Sequence, residues 1–125
     1  MSDITFTGNK KLKSIAKEWS TKFPYLYLRF FNPDGSVVSD WGQTHASVRG
    51  KKGATDLSTN AGMKVGTFEA RYLDAFGSRV EIMYEKNGRK YQSLEDANQM
   101  SLNEYNAWVK AHGGSDILKD HADWF

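Results

Sequence analysis

Ala61-Gly62-Met63-Lys64-Val65-Gly66-Thr67-Phe68 matches Gly8-Asn9-Lys10-Lys11-Leu12-Lys13-Ser14-Ile15 in residue kind, position by position. At the same offset Trp19 pairs with Tyr72 and Phe23 with Phe76. A long internal match of this kind sets the unit from which a fold is assembled. In the first half Leu12, Ile15, Ala16, Trp19 and Phe23 recur at helical steps, and in the second Val65, Phe68, Tyr72 and Phe76 do the same. Each half therefore predicts one amphipathic helix. Pro24 and Gly77 are the expected stops, because Pro resists helix continuation and Gly accepts the left-handed cap.

After each stop the period changes from helical to alternating. Leu26-Tyr27-Leu28-Arg29-Phe30 and Val80-Glu81-Ile82-Met83-Tyr84 predict strands. Asn32-Pro33-Asp34-Gly35 and Lys86-Asn87-Gly88-Arg89 carry the chemistry of tight turns, with Ser36-Val37-Val38 and Lys90-Tyr91 as hairpin partners. Ile4-Thr5-Phe6-Thr7 and Asp56-Leu57-Ser58-Thr59 supply the leading strands. The expected fold is α+β: two diverged βαββ units forming a mixed sheet with helices on one face, plus an extra C-terminal helix. One domain spans residues 1–125, with the units at about 3–49 and 55–92, a basic linker at about 50–54 and a helical extension at about 93–125. In that extension Ser101-Leu102-Asn103-Glu104 fits a capping box, and Gly113-Gly114 is a helix stop rather than a processed diglycine tail. Ile117, Leu118, Trp124 and Phe125 can anchor the last segment on the body.

The segment from Gly62 to Tyr72, closed by Ala75-Phe76-Gly77, resembles a group of small bacterial proteins that carry this unit twice. The resemblance covers roughly residues 4–92. It implies the architecture and a bacterial setting, and no activity, ligand or site.

With 125 residues, 39% of them hydrophobic and 14% aromatic, the chain can close one core without staples. It contains no cysteine, which excludes thiol chemistry and thiolate metal sites and makes the cytoplasm the default location. No apolar run is long enough to cross a membrane. His45, His112 and His121 fall in separate segments without metal-ligand spacing, and no Gly-x-Ser-x-Gly or Walker spacing occurs. These absences predict a non-catalytic protein without cofactor or metal.

Charge is uneven, at +6 over residues 1–90 and −4 over residues 91–125. A small sheet with an open edge and an aromatic face suits a protein partner or self-association, which is the first expectation. Nucleic acid is the second, from Lys10, Lys11, Lys13, Lys17 and Lys22 on the first helix, a basic linker, and aromatic rings in the first strand region. The candidate contact residues are Tyr27, Phe31, Trp41, Arg49, Lys51 and Lys52. A binding face built from them predicts that some of Tyr27, Phe31, Trp41 and Trp124 are exposed in the free chain.

Overall fold

Both predicted helices form and bury the predicted stripes. In the computed structural model, which describes residues 3–51, 56–93 and 95–125, helix α1 spans Leu12–Lys22 and helix α2 spans Val65–Phe76. Leu12, Ile15, Ala16 and Trp19 of α1, and Val65, Phe68, Tyr72 and Phe76 of α2, share one core. Each large apolar side chain withdrawn from water there contributes about 1.5–3 kcal/mol. Neither helix has a side-chain N-cap: Lys11 and Lys64 enter in nearly the same extended conformation, at φ −72°, ψ 148° and φ −71°, ψ 147°. A helix start leaves amides unpaired, so another partner is needed. Extended segments supply it, with Leu12 N donating to Gln43 O (3.0 Å) and Val65 N to Met100 O (2.9 Å).

The agreement extends beyond the helices. His45 N donates to Lys10 O and Leu102 N to Met63 O, both at 2.8 Å, while Ala46 N reaches Gly8 O at 3.0 Å and Asn103 N reaches Ala61 O at 3.1 Å. A one-turn 3-10 helix at His45–Val48 thus stands in the first half where helix α3, Leu102–Ala111, stands in the second. The α3 capping box is complete: Glu104 N donates to the Ser101 hydroxyl and Ser101 N to the Glu104 carboxylate.

The α+β class holds, but the strands divide into two antiparallel sheets instead of one mixed sheet. Strands β1 (Ile4–Phe6) and β3 (Leu57–Thr59) pair with Thr5 opposite Ser58. Strands β2 (Tyr27–Phe30), β4 (Val80–Lys86) and β5 (Arg89–Gln92) form the second sheet in the order β2-β4-β5, with Leu28 opposite Ile82. Each β2 and β4 strand therefore prefers its counterpart in the other half. The expected hairpin partner at 36–38 is reduced to a single bridge, Phe31 with Val37. After the turn at Asn32, where Asn32 N bonds Ser36 O (2.7 Å), the chain leaves the sheet to run past the start of α1, where Lys13 N bonds Trp41 O (2.9 Å). The second turn forms as expected, with Asn87 (φ 54°) and Gly88 (φ 78°) both left-handed.

Alternation along the strands separates two faces. Leu28, Phe30, Val80 and Ile82 face the helices, whereas Tyr27 and Met83 face outward and meet a second small cluster with Ile117. Ile117 belongs to the short helix α4, Ile117–Asp120, and is fully buried. Two main-chain bonds hold this tail on the outer face: Ser115 N to Glu85 O and Ile117 N to Pro24 O, both 2.8 Å.

Gly50 and Gly77 meet where α2 ends. Gly50 N and Lys51 N both donate to Phe76 O, at 2.7 and 2.9 Å, over the left-handed cap at Gly77 (φ 69°). A methyl group at Gly50 would run into the Gly77 carbonyl. We expect Gly50→Ala to cost about 3 kcal/mol of unfolding free energy in urea titrations. Gly35→Ala, where an added Cβ meets nothing within 4 Å, should cost about 1 kcal/mol from its φ of 91° alone.

Candidate binding face

The most enzyme-like constellation in the chain is buried. His45 and Tyr72 are fully inaccessible, and His45 Nε2 lies 2.7 Å from the Tyr72 hydroxyl. Arg49 Nε–H donates to His45 Nδ1 at 2.9 Å. Nδ1 must then keep its lone pair, so the neutral ring carries its proton on Nε2 and donates it to the Tyr72 oxygen. Arg49 is held in turn by the Phe6 carbonyl (3.0 Å), by Asp56 (3.5 Å) and by the Phe76 ring beneath its guanidinium (4.5 Å). Aromatic rings of Phe6, Tyr72 and Phe76 surround the imidazole, so no water or substrate reaches it. This cluster closes the core under the 3-10 helix.

Several residues singled out in the sequence are engaged within the fold. Arg49 points inward, because its five donors find a carbonyl, a carboxylate, an imidazole and a ring face together. Lys51 donates to the Asp74 carbonyl in the last turn of α2, a favourable place for a cation. Lys10 pairs with Glu18 at 3.1 Å. Lys52 and most of the linker lie outside the described residues. Phe31 is buried under the Arg79 guanidinium, 5.1 Å from its ring. Tyr27 is buried beneath the C-terminal tail, edge-on to Trp124 with centroids 5.2 Å apart. Trp41 packs against Phe30, and Trp41 and Trp124 are half-buried. The expected exposed aromatic platform is thus corrected: the tail and the 37–42 loop cover two rings and half-cover the other two.

What those same elements create is a groove of about 690 Å³ at the β2 end of the sheet, lined from both of its faces. Tyr27, Trp41 and Trp124 form its apolar walls, and Lys13, Arg29 and Lys90 contribute positive charge. Among the described residues its lining contains no Asp or Glu. Glu81 partly neutralises Arg29 at 3.8 Å, whereas among the described residues Lys13 and Lys90 have no ion-pair partner. Lys90 instead lies over the Trp124 ring at 5.3 Å. Burial pushes the Tyr27 hydroxyl up to about 12, against the opposing pull of Arg29, and the hydroxyl has no well-formed hydrogen bond.

Arg29 and Lys90 were absent from the sequence-based candidates, and Trp124 was named there only as a ring expected to be exposed. Alternation alone places Arg29 on the Tyr27 face, which was a usable signal. The approach of Lys13, Lys90 and Trp124 depends on register and docking, which no local pattern carries.

Next to the groove, β5 ends its sheet, with no further strand paired to it among the described residues. All four of its residues are exposed, including Tyr91, which is stacked on Tyr84 at 5.1 Å. Among the described residues no cluster of potential ligands could hold a metal ion, and no helix is long and apolar enough to cross a membrane. Compared with known proteins, the chain matches no family model, no curated protein and no solved structure.

A buried histidine and a half-buried glutamate give the fold opposing pH responses. Burial, reinforced by Arg49, holds His45 down to about 4 from an ordinary value of 6.5. The unfolded chain therefore binds this proton more readily, and the His45 contribution is present above pH 6.5 and lost as pH falls toward 4. That loss is about 3 kcal/mol. Burial and the nearby Glu81 push Glu69 up to about 7 from 4.5, so its contribution is full at acid pH and declines as pH rises from 4.5 to 7. Solvent screening weakens the Glu69 contribution, so we expect it to offset part of the His45 loss in the wild-type urea-midpoint profile between pH 4.5 and 6.5. Glu69→Gln should uncover a steep acid loss over that window.

Proposed function

We propose that this chain is a non-catalytic binding module that accepts an extended, acidic segment of a protein partner at the β5 edge. The matched main-chain bonds of the two halves support assembly from two copies of one unit. The observation that carries the proposal is the exposed edge strand itself.

The two-residue turn makes Lys86 and Arg89 a hydrogen-bonded pair, and pairing alternates along antiparallel strands. Tyr91 consequently bonds inward to Tyr84, while the main-chain groups of Lys90 and Gln92 point away from β4. Among the described residues no other strand pairs with β5. Such an edge is a template for strand addition. Arg89 and Lys90 select its partner: carboxylates on an added strand are attracted, and a second copy of β5 would bring like charges together.

The test uses a short peptide of alternating Glu and Val. Its addition should slow hydrogen exchange at the Lys90 and Gln92 amides and leave Tyr91, already paired, unchanged. Lys90→Pro removes only an outward N–H, so the chain should stay folded while peptide affinity drops roughly tenfold or more. Binding that survives Lys90→Pro, or unprotected Lys90 and Gln92 amides in the complex, overturns the proposal.

A further inference from the structure

We propose that the groove bounded by Tyr27, Trp41, Trp124, Lys13, Arg29 and Lys90 is a ligand site for a small planar aromatic anion, a ring bearing a carboxylate or phosphate group. This inference does not depend on strand addition at β5.

Three independent features specify that ligand. The volume of about 690 Å³ lies within the range of small-molecule sites and is far larger than a packing defect. Three aromatic side chains line it, two of them half-buried, so part of each indole ring borders the open space. A flat apolar group would cover that surface and gain from ring contacts. Among the described residues three cations converge on the same space without a lining Asp or Glu, and two of them have no ion-pair partner. An anion there gains charge-assisted bonds, whereas a cation would be repelled.

Tyr27 contributes its ring to the groove wall, while its hydroxyl is sealed from solvent and takes no part in the site.

The site is also framed by elements that are joined only in the folded chain. Lys13 comes from α1, Tyr27 and Arg29 from β2, Lys90 from β5, Trp41 from the loop before the first 3-10 helix, and Trp124 from the tail. Ligand binding should therefore tighten the docking of the tail on the sheet.

The experiment follows the indole N–H signals of the four tryptophans by NMR. Trp41 and Trp124 report on the groove, and Trp19, fully buried in the core, serves as an internal control. Indole-3-acetate and adenosine monophosphate are the two anionic probes, separating carboxylate from phosphate. Indole, adenosine, acetate and inorganic phosphate supply ring or charge alone, and tryptamine reverses the charge.

At least one anionic aromatic probe should shift the Trp41 and Trp124 signals saturably without moving Trp19, and should bind at least about tenfold more tightly than its separate parts or tryptamine. Lys13→Glu, an exposed change on α1 that leaves β5 intact, should weaken it by a further factor of about ten or more. Lys13→Arg should restore binding. Immobile Trp41 and Trp124 signals at millimolar concentrations of both anionic probes would overturn the proposal. Equal binding of tryptamine, or indifference to Lys13→Glu, would overturn it as well.

Discussion

Trp19 of α1 and Phe68 of α2 meet with ring centroids 4.9 Å apart, both completely withdrawn from water, and the rest of the molecule depends on that contact. One helix and three short strands bury too little apolar surface to offset the entropy of ordering them. Bringing the two helices together over the inner face of β2 and β4 supplies the missing burial. The sheet then forms between halves, with Leu28 opposite Ile82, since those are the strands that the joined helices cover.

The same economy leaves the outer face of the sheet incompletely covered. Helices α1 and α2 both lie on the inner side, and among the described residues the outer side receives the tail alone, whose buried contribution is Ile117 over Tyr27 and Met83. A cover this small seals part of the face and leaves the remainder as a groove and an open edge strand. Binding features on loops and edges outside a rigid core are expected where the scaffold has no further element to place there.

Charge is sorted by the same division. Inside, Arg49 is matched by Asp56, a carbonyl and a neutral imidazole, so its burial costs little. Around the groove Lys13 and Lys90 stay exposed, without an ion-pair partner among the described residues. His45 and Arg49 are close along the chain, but only the folded structure shows that three aromatic rings, a carboxylate and a carbonyl have already claimed them.

Local order was legible in the residues alone. Helical spacing located α1 and α2, Gly77 and Pro24 located their ends, Asn87-Gly88 located the hairpin, and Ser101 with Glu104 located α3, because each follows from interactions within a few residues. Of the candidate contact residues, Tyr27 and Trp41 line the groove, while Phe31, Arg49 and Lys51 are spent on packing and caps. Strand partners, the division into two antiparallel sheets, and the meeting of Lys13, Arg29, Lys90 and Trp124 around one space were decided only by tertiary structure. Residues that far apart in the chain become neighbours through the shared burial of a core, and alternation records which face a side chain takes but not what the other elements bring to that face.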